Sequence, residues 1–311
     1  MRYDCVIVGG GIAGLQAAIQ LGRYRHRVAV IDAGDGRSNL CRCYHNLIGW
    51  PEGVSGSELL ASGRKQAERL GVHLVHARAV KAAKEQDGFV IETDGNEHYA
   101  GDRLLLTTGV KDRLPPFSEL RPCLGISVYV CPDCDGYEIS GKRTLVFGAG
   151  KAGAEMALTL THWTDDLIYV NHELTAIDEH TRENLERRQI TYIERKVSAV
   201  ITEDTVFKGV ALDDGTVLEA GRCFVALGGN EVLSGIGAQL GAKLLDNKHI
   251  MVDPRTKLTS IPHVWAAGDV TVHSEMATIA MGDGSQAAIW IHKSLMEQAM
   301  PANSVNMTAT H

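Results

Sequence analysis

The residues of this chain that could carry chemistry most directly are two cysteines three positions apart. They lie in the stretch VCPDCDG, where Cys131 and Cys134 are followed at once by Asp135. Such a pair can be half of a zinc site, a structural disulfide, or a dithiol that exchanges electrons. Zinc needs two further ligands with matching spacing, and the sequence has no second CxxC or nearby Cys/His pair. We therefore predict a redox dithiol and no metal site.

The other cysteines give weaker signals. Cys41 and Cys43 are two residues apart, which strains a disulfide between them. Relaying electrons is one interpretation of this pair, and ordinary loop or core cysteines are the favoured one. Cys5 and Cys223 lie in apolar runs that read as buried strands, so we expect them to serve packing alone.

Composition limits the partners and the compartment. The chain has 311 residues, of which 44% are hydrophobic and 22% charged, and this length fits two domains with their own cores. The net charge of −7 argues against nucleic acid as the main partner, because phosphate binding needs a clustered positive face. No apolar run reaches the roughly 18 residues of a membrane span. A strand-like run starting at Tyr3 leaves no room for a signal peptide, so we expect a cytoplasmic protein with reduced thiols.

The elements that must position the cysteines begin with a nucleotide-binding unit. The run YDCVIV leads into a GxGxxG turn at Gly9, Gly11 and Gly14, and then into a segment with apolar residues at helical spacing. The next apolar run ends in Asp32, 23 residues after Gly9. Glycines let the backbone approach a pyrophosphate, and an acid at this spacing accepts from ribose hydroxyls. This stretch therefore predicts a dinucleotide site.

A second copy of the same unit appears later in the chain. KRTLVFGAGKAGAEMAL repeats the strand, the glycines and the helix, with Gly148, Gly150 and Gly153 in the turn. Its first glycine comes 139 residues after Gly9, which indicates an internal repeat and a second nucleotide pocket. Each copy is followed by segments in which apolar and polar residues alternate, interrupted by an Asp-Gly turn. This pattern predicts a small antiparallel sheet.

Apolar strands that end in glycine close the units. LLLTTG ends at Gly109, and the late run IPHVWAAGDV ends at Gly268 and Asp269, with a helix predicted from about Ala277. Asp269 can bind the ribityl chain of a flavin, and the helix start can point its positive end at the flavin ring. We predict an α/β protein with two Rossmann-like, three-layer ββα domains, the second inserted into the first. The predicted boundaries give a FAD-binding domain at 1–115 and 246–311, and an inserted NAD(P)-binding-like domain with the CxxC at 116–245.

With AAGD, two GxGxxG units and CPDCDG just before the second glycine loop, the chain resembles the low-molecular-weight thioredoxin reductases over nearly its whole length. The resemblance implies FAD in the first unit, NADPH in the insert, and a homodimer. It also implies that Cys134 faces the flavin, that Cys131 attacks the partner, and that Asp135 protonates the thiolate or flavin. His45 and Asn46 match a family segment lying against the flavin.

The chain departs from that family at two places. Arginines that hold the 2′-phosphate of NADPH normally follow the second strand of the insert, where this chain has Asn171, His172 and Glu173. Arg182, Arg187 and Arg188 could substitute from the next helix, although a solvated helix face is the favoured reading. An Arg-Gln pair usually precedes the last helix, where this chain has Glu275 and Met276.

These departures give three hypotheses. The favoured one is an FAD-dependent thiol-disulfide oxidoreductase that exchanges electrons between flavin and Cys131/Cys134 without NADPH as an efficient donor. Some relatives of this kind oxidise dithiols, some use ferredoxin, and some hold a second flavin. The alternative is an NADPH-dependent thioredoxin reductase, and a non-enzymatic flavin sensor comes last. The expected partner is a thioredoxin-like protein, a small dithiol or disulfide, or ferredoxin. The second pocket would hold FAD or NAD(P)H.

Overall fold

A computed structural model describes residues 1–272 and 274–299, without the side chain of residue 299. His273 and the polar tail at 300–311 lie outside the described residues. The chain divides into two compact units, which are described separately below. The first unit comprises the described residues of Met1–Gly36, Leu60–Val110 and Val232–His311, and the second comprises Arg37–Leu59 and Lys111–Glu231. The domain boundaries given by the sequence stay predictions.

The first part of the chain alternates strands and helices as the apolar pattern predicts. Its elements, which include a 3₁₀ turn at Arg37–Asn39, are β1 Arg2–Val8, α1 Ile12–Arg23, β2 Val28–Asp32, α2 Gly56–Arg69, β3 His73–His76, β4 Ala79–Glu85, β5 Gly88–Thr93, β6 His98–Leu106 and β7 Val110–Lys111. The sheet of the first unit has the order β3-β2-β1-β6-β5-β4. The strands β3, β2, β1 and β6 are parallel, whereas β4, β5 and β6 form the antiparallel layer.

The middle of the chain repeats this plan. Its elements, which include 3₁₀ turns at Ser118–Cys123 and Gly136–Ile139, are β8 Val128–Tyr129, α3 Pro132–Asp135, β9 Thr144–Gly148, α4 Gly150–Leu160, β10 Leu167–Asn171, α5 Glu179–Arg187, β11 Thr191–Ile193, β12 Val197–Glu203, β13 Val206–Leu212, β14 Val217–Glu219, β15 Arg222–Ala226 and β16 Glu231–Val232. The order β11-β10-β9-β15-β8 is wholly parallel, and β12-β13-β14 is antiparallel. Both antiparallel layers turn at the predicted Asp-Gly pairs.

The last part of the chain returns to the first sheet. It contains α6 Gly235–Gln239, β17 Val264–Ala266 and α7 Ala277–Ala299. The strand β17 pairs in parallel with β6, and α7 begins at Ala277, as predicted. The fold class of two Rossmann-like three-layer units is confirmed.

Small residues let α7 lie close against α1. A Cβ atom added to Gly284 would come within 2.2 Å of the carbonyl oxygen of Ala13, and Ala17 and Ala287 are fully buried in the same core. Only glycine fits such a contact, because any side chain would have to enter occupied space. This packing holds the start of α1, and with it the first glycine loop, in a fixed position.

Among the helices of the described residues, none combines the length with the apolar character that crossing a bilayer requires.

Candidate functional site

Cys131 and Cys134 are joined in a disulfide with a Cα–Cα distance of 5.3 Å. Cys131 immediately precedes the short helix α3, and the backbone N–H of Cys134 donates to the sulfur of Cys131 across 3.2 Å. Pro132 begins the helix, where a missing N–H costs nothing. A donor aimed at Cys131 stabilises negative charge on its sulfur, so the local fold favours this cysteine as a thiolate once the pair is reduced.

Asp135 lies at the end of α3 with 16% of its side chain exposed. Burial, together with the nearby carboxylate of Glu138, raises the pKa of Asp135 to about 7. The Nδ1 atom of His45 is 3.9 Å from Asp135 Oδ1 and 4.0 Å from Glu138 Oε1. Asp135 and His45 were predicted as site residues on other grounds, whereas Glu138 was not predicted. The pairing of His45 with Asp135 spans 90 residues of chain, so no local pattern signals it.

The five remaining cysteines are free thiols. Cys5 and Cys223 have no exposed surface, and burial raises the pKa of each thiol, which confirms the prediction that they are core residues. Cys41 donates to the carbonyl of Cys43 across 3.3 Å, and burial raises its pKa to about 12. Burial also raises the pKa of Cys43. Thiols held protonated are poor nucleophiles, which favours the structural interpretation of this pair over a relay.

The first glycine loop has the shape of a phosphate cradle. Gly9 has φ +104°, and a Cβ atom there would lie 2.3 Å from the carbonyl oxygen of Thr107. A Cβ on Gly14 would lie 2.0 Å from the oxygen of Gly9, whereas one on Gly11 would meet nothing within 4 Å. The helix α1 starts behind Gly11 without a side-chain cap. Open space before uncapped N–H groups fits a pyrophosphate.

Asp32 stands at the end of β2 beside this loop. Its Oδ1 atom accepts from the Gly10 N–H across 3.1 Å, and its Oδ2 atom accepts from Arg64 across 3.1 Å. The carboxylate is thus oriented from both sides, and it keeps the acceptor capacity that ribose hydroxyls need. Arg64 was missed because it belongs to α2, far along the chain.

The strand end at Gly268 is braced by a buried ion pair. Gly268 has φ +75°, and its N–H donates to Asp283 Oδ2 across 3.3 Å. Asp283 Oδ1 is 2.7 Å from Lys257 Nζ, and the two side chains are only 8% and 14% exposed. This pair fixes the turn that carries Asp269, next to the start of α7. Gly109, at the end of the neighbouring strand β6, has φ +72° and open space where a Cβ would point.

The second glycine loop differs from the first at its middle glycine, Gly150, which has a close neighbour where Gly11 has none. A Cβ on Gly150 would lie 2.8 Å from Thr175 Cγ2, and one on Gly153 would lie 2.4 Å from the ring of Tyr169. A Cβ on Gly148, which ends β9, would lie 2.6 Å from the Cα atom of Gly153. Thr175 therefore takes up the space beside Gly150 that stays open beside Gly11 in the first loop.

Asn171 occupies the place in the second unit that Asp32 has in the first, but its side chain points inward. It is fully buried, accepts from the Gly150 N–H across 3.0 Å, and donates to Thr175 O and Tyr192 Oη. All of its usual donors and acceptors have partners inside the protein. Asn171 therefore orders the loop.

The two residues after Asn171 are also engaged within the unit. His172 Nδ1 accepts from the Val197 N–H across 2.9 Å, and its ring packs on Phe147. Glu173 forms an ion pair with Arg113, whose guanidinium also donates to the Leu227 carbonyl. Arg113 was not predicted as a partner of Glu173, because it lies 60 residues earlier in the chain.

The arginines that follow in α5 make local contacts as well. The Arg182 guanidinium lies 5.1 Å above the ring of Tyr192 and 3.7 Å from Glu194, and Arg187 donates to Asn184. Near Arg113 lies a cavity of about 170 Å³ at the ends of β15 and α4, lined by Asp112, Arg113, Val130, Ala152, Met156, Val225, Ala226, Leu227, Gly228 and Asn230. This volume suits one small group of a ligand.

Known proteins match this chain along most of its length. The family model for pyridine nucleotide-disulphide oxidoreductases matches residues 3–284. A thioredoxin reductase from Treponema pallidum is 29% identical, with 92% of this chain and 95% of that protein covered. One from Aquifex aeolicus is 27% identical, with 94% and 93% covered. The crystal structure of HlmI superimposes with a TM-score of 0.85 at 29% identity, covering 96% of this chain and 94% of that one.

Proposed function

Because this chain belongs to the pyridine nucleotide-disulphide oxidoreductase family, we propose that it exchanges electrons between a bound FAD and a dithiol or disulfide partner through Cys131 and Cys134. It is a flavoprotein disulfide oxidoreductase related to thioredoxin reductases. The observation that carries the proposal is the Cys131–Cys134 disulfide with Asp135 directly behind it. Burial and Glu138 raise the pKa of Asp135 to about 7, a value that suits proton transfer to a thiolate at neutral pH.

The exchange step can be assigned to atoms. A substrate thiolate attacks the sulfur of Cys131, the Cys131–Cys134 bond breaks, and Cys134 leaves as a thiolate that takes a proton from Asp135. The second substrate thiol then releases its proton to water and attacks the substrate sulfur joined to Cys131. Cys131 is released and stabilised by the Cys134 N–H, and the substrate leaves as a disulfide. Two electrons have passed from the substrate to the cysteine pair, and the same steps reversed would reduce a partner disulfide.

FAD fits the residues of the first unit. The open space at Gly11 with Gly9 and Gly14 would take the pyrophosphate, Asp32 would take the ribose, and Asp269 with the start of α7 at Ala277 would take the ribityl chain and the ring. Gly109 and Gly268 would leave room for close approach. When bound, the flavin supplies a two-electron donor or acceptor for the cysteine pair.

Replacing Asp32 with alanine should weaken FAD binding by about 10- to 100-fold, because charge-assisted hydrogen bonds contribute about 1.5–3 kcal/mol. The Gly10 N–H would also lose its acceptor. Fluorescence titration of flavin-free protein with FAD measures the change, and Glu68→Ala, an exposed site in α2, is the control. Equal affinity in Asp32→Ala and unmodified protein would remove Asp32 from the site.

NADPH is a poor electron donor in this proposal. Asn171, His172 and Glu173 are all engaged by their own unit, and Arg113 is paired with Glu173. A 2′-phosphate would thus lack the bidentate guanidinium that makes such sites selective. Glu275 and Met276 stand where the family usually has Arg-Gln, and this departure also favours poor reduction of the flavin by NADPH. The second pocket, at Gly148, Gly150 and Gly153, would take a dinucleotide without that phosphate, such as NADH or a second FAD.

An anaerobic titration tests the proposal. Flavin is counted per chain, and one equivalent of NADPH, NADH or dithiothreitol is added while the flavin absorbance is followed. We expect the dithiol to bleach the flavin and micromolar NADPH to leave it oxidised. Rapid stoichiometric bleaching by NADPH would establish the alternative, an NADPH-dependent thioredoxin reductase. Bleaching by neither dithiol nor nucleotide would favour the third hypothesis, a flavin sensor.

We propose a thioredoxin-like protein or a small dithiol or disulfide as the partner, because relatives of this chain are named thioredoxin reductases. Ferredoxin stays a further candidate electron source that the relatives do not test. We propose a cytoplasmic homodimer on the resemblance to those proteins. We also propose that His45 and Asn46 lie near the flavin in at least one stage of the cycle, as the family segment implies. The division into a FAD domain at 1–115 and 246–311 and an insert at 116–245 belongs to the same proposal.

A further inference from the structure

We propose that Glu138 and His45 form, with Asp135, a cluster that holds one proton beside Cys134, with Glu138 and His45 as positioning residues for the acid. This rests on the proposed function, because it assigns the proton that the leaving Cys134 thiolate takes up. Neither Glu138 nor the contact between His45 and Asp135 was predicted from the sequence.

The geometry of the cluster brings two carboxylates to one imidazole. His45 Nδ1 lies within ion-pair distance of both, at 3.9 Å from Asp135 and 4.0 Å from Glu138. The three side chains are between 16% and 30% exposed, so each is partly withdrawn from water. Asp135 and Glu138 are three residues apart, across the junction of α3 and the 3₁₀ turn that follows it. This spacing turns both carboxylates toward the same imidazole.

Two neighbouring carboxylates that are partly withdrawn from water each disfavour the ionised form of the other. Of the two carboxylates, Asp135 is the one that favours its neutral form, because burial and Glu138 both act against its ionisation. A protonated Asp135 is a hydrogen-bond donor, and it belongs to the same helical turn as Cys134. Glu138 therefore acts by keeping a proton on Asp135 at neutral pH.

Other groups that face Asp135 do not compete for this role. The thiols of Cys41 and Cys43 and the phenol of Tyr129 interact electrostatically with Asp135, and burial raises the pKa of each of them. They stay neutral in the range where Asp135 titrates. Arg222 acts on the phenol of Tyr129, where it favours ionisation. Glu138 is thus the charged group whose carboxylate raises the pKa of Asp135.

The pH dependence of disulfide opening tests the cluster. The oxidised protein is treated with dithiothreitol from pH 5 to 9, released thiols are trapped and counted, and rates are corrected for the thiolate fraction of the reagent. The unmodified protein should lose rate above a break near pH 7, where Asp135 gives up its proton. In Glu138→Gln the break should move down by about one pH unit, since removing a like charge lowers the pKa. Glu138→Asp should restore part of the shift.

His45→Asn should slow disulfide opening below the break, because the imidazole that lies 3.9 Å from Asp135 and 4.0 Å from Glu138 no longer positions the acid. Glu155→Gln, an exposed carboxylate on α4 that pairs with Lys151, should leave the break in place. Asp135→Asn should remove it. An unmoved break in Glu138→Gln, with Asp135→Asn lacking one, would overturn the role of Glu138. A break that survives in Asp135→Asn would overturn the cluster altogether.

Unfolding measurements give a readout that does not depend on exchange. The pKa of Asp135 is higher in the folded than in the unfolded chain, so its ionisation disfavours the fold. This contribution should lower the stability as pH rises from about 4 to about 7, and Asp135→Asn and Glu138→Gln should both reduce the loss. If dithiothreitol failed to open the disulfide at any pH, the proposed function would fail, while the pH dependence of unfolding would still decide the cluster.

Discussion

Replacing Cys134 with serine is expected to lower the rate of dithiol-dependent flavin reduction at least about a thousandfold, an effect of about 4 kcal/mol on the barrier. Serine cannot form the disulfide, and its hydroxyl is a far weaker nucleophile and leaving group than a thiol. Cys131→Ser should cause a loss of the same order. FAD should remain bound in both variants, because neither residue belongs to the proposed flavin site. Stopped-flow absorbance under anaerobic conditions measures the rates.

The two variants should differ in what they trap. When Cys134→Ser is offered a partner disulfide, the Cys131 thiolate attacks one of its sulfurs and the other leaves as a thiolate. Because no resolving cysteine remains, the mixed disulfide should accumulate and add the mass of the partner to the chain. Cys43→Ser is the matched control, a cysteine outside the disulfide whose pKa is raised by burial. Flavin reduction within tenfold of normal in both disulfide variants would refute the redox assignment. A large loss in Cys43→Ser would instead revive the relay interpretation.

Installing arginines at positions 172 and 173 should strengthen NADPH binding by about two to four powers of ten, at about 1.5–3 kcal/mol for each charge-assisted contact. Two guanidiniums would offer the 2′-phosphate a bidentate partner. Loss of Glu173 would also release Arg113 from its ion pair. NADH, which lacks the phosphate, should gain far less. Calorimetric titration of the flavin-loaded protein with both nucleotides measures the two affinities.

Glu173→Gln separates the effect of losing the carboxylate from the effect of gaining a guanidinium, because it removes the first without adding the second. Its gain for NADPH should be well below that of the double arginine variant. His172→Arg alone costs the contact with the Val197 N–H, so its thermal stability must be measured beside its affinity. Micromolar NADPH binding by the unmodified protein, tighter than that of NADH, would contradict the electrostatic argument.

Local patterns predicted much of the fold. A few adjacent residues determine each of three features: the two glycine turns, the Asp-Gly hairpins and the start of α7 at Ala277. The types of those residues indicate the backbone conformation they adopt. Asn171 shows the limit: its spacing marked the nucleotide position, but its neighbours in space turn its side chain inward.

Contacts between distant segments of each unit were not predictable. Arg113 with Glu173, Arg64 with Asp32, and His45 with Asp135 each join charges separated by tens of residues. A pattern of charged residues gives candidate ion pairs but does not show which of them form. Most charged side chains face water, and many of their ion pairs contribute nothing measurable to stability. The choice is made by packing, which brings particular strand ends and loops together.

The buried ion pair between Lys257 and Asp283 constrains how this protein can change by mutation. Losing one partner strands a charge in the interior at a cost of about 3–5 kcal/mol, whereas exchanging both for apolar residues of similar size can be neutral. Replacing the pair one residue at a time therefore passes through a variant of low stability, unless both residues are substituted together. Since Asp283 also receives the Gly268 N–H, even an apolar replacement of both leaves the turn before Asp269 without its acceptor. The turn at Gly268 and the pair Lys257–Asp283 should therefore change together or not at all, although neither side chain of the pair needs to contact a ligand.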